Sequence, residues 1–293
     1  MEKVIPFEVT YSHTQNYDTR LLFAYGSVWT VVHPNLVRID PKSYDQTNIE
    51  LPGVLGPVRP LAFGDGGIWI ADTGSNTIFK VDTAEDSVVL KFKASMLSVQ
   101  SPIAVGAGSV WTVASERAER VVTRFDAMNG EVQAQIALPG GSSGIAFEGD
   151  SAWVAGRNEV YRIDPASNAV VSSTPVCDRP STIAAGEGSI WVHCRNDGMV
   201  DRIDSWTGSV TGSLDVGVRG PGMVDLTAGG GSLWLATLVV PLIEIDPMTV
   251  ELRRTYEGEF RTEANVAYGD NSLWLLRIRP SGEILRVSAP DRY

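Results

Sequence analysis

Seven tryptophans recur at nearly even steps along the chain, and each ends a phrase of the same kind. They are Trp29, Trp69, Trp111, Trp153, Trp191, Trp234 and Trp274, separated by 40, 42, 42, 38, 43 and 40 residues. The phrases that they end are GSVW, GGIW, GSVW, DSAW, GSIW, GSLW and NSLW. A repeat of about 40 residues with short apolar runs and tight turns is typical of a β-propeller blade. The chain is therefore predicted to be all-β, with seven four-stranded antiparallel blades.

The second repeat shows the predicted layout of one blade. Residues 60–64, 68–71, 77–81 and 87–93 form strands A to D, and Asp82 ends strand C. The same aspartate recurs as Asp40, Asp82, Asp126, Asp164, Asp204 and Asp246. Because an aspartate accepts hydrogen bonds from the backbone of the turn that it starts, these residues are interpreted as turn formers. A basic residue precedes most of them by two positions and is interpreted as a solvated or inter-blade contact. Trp206 lies outside the tryptophan series and is predicted to be exposed in a turn.

The two ends of the chain predict how the ring closes. The seventh repeat has a strand C at residues 283–287 but no strand D, whereas residues 4–10 form a strand that belongs to no blade. Pairing these segments completes the seventh blade and leaves no blade edge open. Residues 1–293 are accordingly predicted to form a single domain, with residues 4–10 as the outer strand of blade seven.

Charge and composition exclude several classes of protein. A net charge of −11 argues against a nucleic-acid binder, because phosphate contacts need a basic face. No apolar run approaches the roughly 18 residues of a membrane span, and the first ten residues lack the pattern of a signal peptide. The two cysteines, Cys177 and Cys194, are too few for a disulfide framework. They flank the same blade and could approach each other, but the favoured interpretation is that they are inert core thiols. These features predict a cytoplasmic monomer without nucleic-acid or membrane partners.

Candidate functional residues lie where the repeats differ. In a propeller the D–A and B–C connections share one face, and here they vary in length and composition while the A–B and C–D turns are repetitive. Variable loops on a rigid scaffold are where binding and catalysis concentrate. The candidates for acid–base catalysis on this variable face are His193, Asp225, Glu263 and Asp72. The candidates for binding an anionic small molecule are Arg59, Arg157, Arg179, Arg195, Arg277 and His33. Alternatively, the arginines pair with acidic residues of the same loops.

These residues leave two functions open. The first is an enzyme of lyase, isomerase or cyclase type that acts on an anionic or ester- or lactone-containing small molecule. The second is a non-catalytic propeller that binds a ligand or a protein. No metal-ligand spacing such as HExxH or CxxC is present, so the residues themselves predict no metal and no cofactor. An enzyme should hold titratable groups within hydrogen-bond reach of each other and with shifted pKa values.

The repeated phrase also resembles a known group of propellers. An apolar strand followed by G-x-G-S-[VIL]-W and then by [RK]-[IVF]-D-[PTA] is similar to the streptogramin B lyase (virginiamycin B lyase) group, and to YVTN and NHL-type repeats, over essentially the whole chain. The resemblance implies a seven-bladed propeller and a magnesium-assisted elimination that opens an ester ring. In that group a histidine before strand A of the last blades acts with nearby glutamates and the metal. Here Ala264 and Val224 occupy those histidine positions. Glu263 is one position displaced from the first of them, and Asp72 resembles the family's glutamate after strand B.

Overall fold

The computed structural model describes residues 3–6, 20–53, 60–94, 102–116, 119–139, 144–220, 224–237, 242–256, 265–277 and 283–288. These residues form 28 strands in seven antiparallel sheets of four, arranged in a ring as the blades of a propeller. Strand A of each blade is innermost, and the strands A of successive blades lie side by side around the channel. The all-β fold with seven blades is therefore confirmed. Within the described ranges, no helix is long and apolar enough to cross a membrane.

The strands follow the chain in blade order. Blades one and two are β2 (Leu22–Ala24), β3 (Ser27–Val32), β4 (Asn35–Ile39), β5 (Gln46–Glu50), β6 (Leu61–Gly64), β7 (Gly67–Asp72), β8 (Thr77–Asp82) and β9 (Ser87–Lys93). Blades three and four are β10 (Ile103–Gly106), β11 (Ser109–Glu116), β12 (Glu119–Asp126), β13 (Val132–Leu138), β14 (Gly144–Glu148), β15 (Ser151–Ala155), β16 (Glu159–Asp164) and β17 (Ala169–Pro175). Blades five and six are β18 (Pro180–Gly186), β19 (Ser189–Cys194), β20 (Met199–Asp204), β21 (Val210–Asp215), β22 (Val224–Gly229), β23 (Ser232–Thr237), β24 (Leu242–Ile245) and β25 (Leu252–Tyr256). Blade seven is β26 (Val266–Gly269), β27 (Ser272–Arg277), β28 (Glu283–Ser288) and β1 (Lys3–Pro6).

The N-terminal strand closes the ring as predicted. β1 pairs antiparallel with β28 and forms the outer edge of blade seven. The register places Lys3 opposite Arg286 and Pro6 opposite Glu283. The strand spans residues 3–6, and residues 7–10 of the predicted segment lie outside the described residues. Proline lacks an N–H but is tolerated on an outer strand such as this one.

The seven repeated tryptophans fill the spaces between blades. Each is at most 1% exposed. Trp69 packs with Val110 and Phe125 of the next blade, and its indole Nε1 donates to the carbonyl of Gly64 at 3.1 Å. The same bond to the residue five positions earlier recurs in five further blades. Trp153 of blade four differs, because its Nε1 is buried without a hydrogen-bond partner. The indole N–H is thus hydrogen-bonded in six blades and has no partner in blade four.

In several blades, a basic residue on strand C forms hydrogen bonds to the next blade. The Arg124 guanidinium lies 5.0 Å from the centre of the Trp111 ring, and its Nε donates to Ser109 Oγ at 2.8 Å. Its Nη1 reaches the next blade, where it donates to Pro165 O and to Asn168 Oδ1. Equivalent bonds cross between blades from Arg162, Arg202 and Arg286. The interpretation of these residues as inter-blade contacts is confirmed. In blades three, four, five and seven the arginine Nε also donates to the serine of the repeated phrase.

The aspartate that ends strand C forms the turn that follows. Asp204 Oδ1 accepts hydrogen bonds from the backbone N–H groups of Trp206 at 3.1 Å and Thr207 at 2.7 Å. All six aspartates accept the same two backbone bonds. Because these bonds favour the ionised carboxylate, they hold the pKa of five of the six below the usual value. The role as turn formers is confirmed.

Candidate functional site

Two of the predicted catalytic residues lie in adjacent blades, His193 on β19 of blade five and Asp225 on β22 of blade six. β18 and β22 are the innermost strands of blades five and six, and the Thr182 hydroxyl joins them by donating to Val224 O at 2.9 Å. Asp225 follows Val224 directly. His193 lies opposite Thr182 on β19. The first residues of strand A in blades five and six therefore form the best-defined part of the candidate site.

His193 is buried between blades and uses both ring nitrogens. Its side chain stands two positions after the repeated tryptophan, where the other six blades have only apolar residues, namely Val31, Ala71, Val113, Ala155, Ala236 and Leu276. It is 1% exposed, with Nδ1 2.9 Å from Ser181 Oγ and Nε2 3.0 Å from Val218 O. Because a carbonyl only accepts, Nε2 carries the proton and Nδ1 is left to accept from the Ser181 hydroxyl. Burial lowers the pKa of His193, so the ring is neutral at pH 7.

Ser181 is a member of this group to which sequence reasoning gave no role. It opens strand A of blade five at an irregularity in the register between β18 and β19. Its hydroxyl lies 2.9 Å from His193 Nδ1 and also 3.2 Å from His193 O. The only sequence signal was its position at the start of strand A. The Ser181–His193–Val218 arrangement holds a hydroxyl against a neutral imidazole whose orientation is fixed by a backbone carbonyl.

Asp225 lies where blades six, seven and one meet at the channel. Its Oδ2 accepts a hydrogen bond from the backbone N–H of Val266 at 3.1 Å, and its Oδ1 is 3.7 Å from Arg20 Nη1. The Asp225 side chain is 14% exposed, whereas the Arg20 side chain is 53% exposed. Burial raises the pKa of Asp225, and the nearby Arg20 charge and the Val266 N–H only partly oppose it. A carboxyl group with this environment can exchange a proton nearer to neutral pH than an ordinary aspartate.

Replacing Asp225 should change how stability depends on pH. Because the pKa of Asp225 is higher in the folded than in the unfolded chain, the wild type loses stability as the pH rises through the folded-state pKa. We expect Asp225→Asn to remove this loss. The free energy of unfolding of the variant should therefore rise relative to that of the wild type as the pH increases from acidic to neutral. Urea denaturation across that range measures the difference. Asp215→Asn is the control, and its effect on the pH dependence of stability should have the opposite sign. The reason is that the Arg219 side chain and the Gly217 N–H lower the pKa of the exposed Asp215. Parallel profiles for the two variants would contradict the assignment.

Asp72 braces its own loop. It ends β7 and is fully buried. Its Oδ1 accepts from Gly74 N at 3.2 Å and its Oδ2 accepts from the Ser75 hydroxyl at 2.5 Å. These bonds shape the B–C loop of blade two from within. The sequence pattern placed Asp72 correctly at the end of strand B, but it gave no sign of these loop contacts.

The predicted ligand-binding residues spread over the variable face. His33 is exposed in the B–C turn of blade one, next to a cis peptide bond with Pro34. Arg157 and Arg179 are exposed, and Arg195 is half-buried. Arg59, Glu263 and the side chain of Arg277 lie outside the described residues.

Two of these arginines lie near an acidic residue of the same face. The pKa of Asp178 is lowered by hydrogen bonds from Asn196 and Asn158 and then by the charges of Arg179 and Arg157. The attraction between the Asp178 carboxylate and these two arginines is the part of the local-pairing alternative that is observed here. It leaves both guanidinium groups exposed to solvent.

The two cysteines form a disulfide, which corrects their interpretation as inert core thiols. Cys177 and Cys194 have Cα atoms 5.7 Å apart and are bonded through sulfur. The bond joins the connection before strand A of blade five to the end of its strand B, directly after His193. Sequence could not show this, because the pairing depends on how the connection folds back over the strand. Disulfides are rare in cytosolic proteins, so the bond gives no support to the predicted cytoplasmic location.

The described residues do not fit the magnesium ion that the family resemblance implies. Within them, the only group with suitable spacing consists of Cys177, Cys194 and Asp197. Its two sulfur atoms are bonded to each other, and magnesium binds oxygen ligands. The Asp225 carboxyl lies beside a guanidinium and a backbone N–H instead of other carboxylates.

Comparisons with known proteins agree on the fold. No protein-family model matches the chain, and neither does any curated protein sequence. The structure of virginiamycin B lyase from Staphylococcus aureus matches with a TM-score of 0.76 and 18% identity, over 97% of this chain and 99% of that one. A chain of the mitotic checkpoint complex matches with a TM-score of 0.75 and 10% identity, over 98% and 91%. The Swd1 β-propeller domain of Myceliophteria thermophila matches with a TM-score of 0.73 and 12% identity, over 96% and 100%. The chain thus has a seven-bladed propeller fold similar to that of virginiamycin B lyase, a fold shared with proteins of other kinds.

Proposed function

We propose that this propeller acts on a small molecule by acid–base chemistry at the openings of strand A in blades five and six. The reaction is of lyase, isomerase or cyclase type. The observation that supports it is Asp225, a mostly buried carboxyl group at the channel whose pKa is raised and whose nearest cation is half exposed. Perturbed carboxyl groups in such positions are typical of catalytic acids and bases.

An ester or lactone substrate suits the pair formed by Asp225 and Arg20. In an elimination, the Asp225 carboxylate takes a proton from the carbon that adjoins the one bearing the ester's alkyl oxygen, where a second, neighbouring carbonyl group acidifies the C–H bond. The electrons of that C–H bond form a C=C bond while the alkyl C–O bond of the ester breaks, and the oxygen leaves as a carboxylate. Arg20 lies 3.7 Å from Asp225 and can pair with the negative charge that develops on the substrate oxygen. Asp225 then returns its proton to solvent, and the ring opens without consuming water.

The other predicted residues have supporting roles in this proposal. His193 is a positioning residue, because it is buried and its two ring nitrogens are bonded to Ser181 and to Val218 O. Asp72 shapes the loop of blade two. Anionic groups of the substrate bind to arginines of the variable face, for which Arg157, Arg179, Arg195, Arg59 and Arg277 are the candidates, with His33 at the rim.

The proposal predicts a large loss of activity for Asp225→Asn. The first substrate to test is virginiamycin B, followed by other cyclic esters, with products separated by chromatography and identified by mass spectrometry. Elimination opens the ring without a change in mass, whereas hydrolysis adds one water. We expect the wild type to give the elimination product and Asp225→Asn to lower kcat/KM by about 100-fold or more. Asp215→Asn, on the outer strand of blade five, should retain activity.

Two results would count against this function. Turnover by Asp225→Asn at the wild-type rate would remove Asp225 from the reaction. No turnover of any cyclic ester by the wild type would favour the second candidate, a propeller that binds a partner without catalysis. That candidate has an observation of its own in its favour, namely the exposed apolar side chains on the opposite face of the ring.

A further inference from the structure

The large apolar side chains that are exposed lie towards one face of the ring, the face of the A–B and C–D turns. Within the described part of the chain, all eleven lie in the A–B or C–D turns or within three residues of them. Seven of them are more than half exposed, and one of these, Phe63 at 51%, lies in blade two. The other six belong to the consecutive blades three to six and form what we name the apolar arc: Met128 88%, Val132 57%, Val171 54%, Trp206 88%, Met248 78% and Leu252 54%. Scattered exposed apolar residues are ordinary, but a concentration on one part of the surface marks an interaction site.

The turns that carry the arc are held rigidly. Arg162 of blade four donates to Trp206 O at 3.2 Å, and Arg202 of blade five donates to Met248 O at 3.5 Å. The Asp204 carboxylate also binds the Trp206 N–H from within the turn. These hydrogen bonds between neighbouring blades therefore fix the backbone of Trp206 and Met248, the most exposed apolar residues of blades five and six. A preorganised surface loses little conformational entropy when it binds a partner.

The charge around the arc is mostly acidic, and Arg253 and the exposed Arg254 on β25 are the basic residues beside Leu252. The C–D turns of blades three to six begin with Asp126, Asp164, Asp204 and Asp246, and residues 126–131, 164–169, 204–209 and 246–251 contain no lysine or arginine. Of these aspartates, Asp246 pairs with Arg253 of the adjacent strand. Backbone hydrogen bonds lower the pKa values of Asp164 and Asp204, so both are ionised at neutral pH. The arginines of strand C are turned between the blades towards backbone carbonyls.

We infer that the apolar arc is a docking surface for a partner protein segment that is basic and carries large apolar side chains, with Trp206 as the central anchor. Exposed tryptophan and methionine are typical of interface centres, and an acidic border favours lysine and arginine on the partner. A second copy of this chain would bring two acidic surfaces together, since the net charge is −11. An anionic bilayer would be repelled for the same reason. This inference is independent of the chemistry proposed for the opposite face.

The test uses the full chain and a synthetic peptide of alternating leucine and lysine residues that carries a fluorescent dye. Its counterpart has glutamate in place of each lysine. We expect the lysine peptide to bind the wild type with a Kd that rises with ionic strength, and the glutamate peptide not to bind. The double variant Trp206→Ser with Met248→Ser should raise the Kd about tenfold or more. Val89→Ser is the matched control, because Val89 is a half-exposed residue at the equivalent end of blade two, outside the arc. Thermal melting should be unchanged in each variant, since these side chains are exposed.

Three outcomes would overturn the inference. The double variant could bind the lysine peptide as tightly as the wild type, which would remove Trp206 and Met248 from the surface. The glutamate peptide could bind as well as the lysine peptide, which would show that charge does not select the partner. Finally, sedimentation equilibrium could show a wild-type dimer that the double variant does not form, which would assign the arc to a second copy of the chain.

Discussion

A chain that begins at residue 7 is expected to melt far below the wild type and to aggregate. β1 is the outer strand of blade seven, so its removal uncovers the outer edge of β28 and leaves blade seven with three strands. A bare strand edge is a template for pairing with other chains. With a net value of about 1 kcal/mol per hydrogen bond, loss of this four-residue pairing costs several kcal/mol and lowers Tm by roughly 10 °C. Differential scanning calorimetry and size-exclusion chromatography measure the two effects.

Two further variants separate closure from chain length. A chain that lacks only residues 1 and 2 keeps the whole of β1 and should melt like the wild type. Ile5→Pro in the full chain removes a backbone N–H within the paired segment, opposite Ile284, and should reproduce much of the truncation. If the chain that begins at residue 7 melts at the wild-type temperature as a monomer, β1 does not hold the ring together.

The fold could be predicted from the sequence because its determinants are local and repeated. The spacing of the tryptophans gave seven blades, and the aspartate after strand C gave the turns, which the structure confirms with two backbone hydrogen bonds at each. The serine before the tryptophan was visible as a repeated letter, but its reason was not. In blades three, four, five and seven it accepts a hydrogen bond from an arginine on strand C, as Ser109 does from Arg124. Blade two has Gly67 with Lys80 at the same positions, where a Cβ on Gly67 would lie 2.9 Å from the lysine side chain.

The site could be predicted only in outline, because its contacts join parts of the chain that no local pattern links. His193 was recognised as an irregular residue, but the carbonyl that fixes its tautomer belongs to Val218. Asp225 was placed at the start of a strand A, but the Val266 N–H and the Arg20 charge come from two other blades. The disulfide between Cys177 and Cys194 closes a separation of 17 residues through an irregular connection. Such contacts depend on the shapes of the variable loops, which the repeat does not specify.

Replacing a repeated tryptophan with alanine is expected to cost about 3–5 kcal/mol of unfolding free energy, because each indole is buried between two blades. Trp69 and Trp153 make the sharpest comparison. Both are fully buried, and each lies under a cation, at 5.1 Å from Lys80 Nζ and 5.2 Å from the Arg162 guanidinium. They differ in the indole N–H, which Trp69 donates to Gly64 O and Trp153 keeps without a partner.

Phenylalanine at these two positions separates the packing of the ring from the hydrogen bond. Trp69→Phe leaves the Gly64 carbonyl without its donor, whereas Trp153→Phe removes a buried N–H that has no partner. We therefore expect Trp69→Phe to cost about 1 kcal/mol more than Trp153→Phe, measured as the difference in unfolding free energy from urea titrations. A larger cost for Trp153→Phe would contradict the difference in bonding. Equal costs would mean that the volume of the indole, and not its N–H group, is what requires tryptophan in every blade.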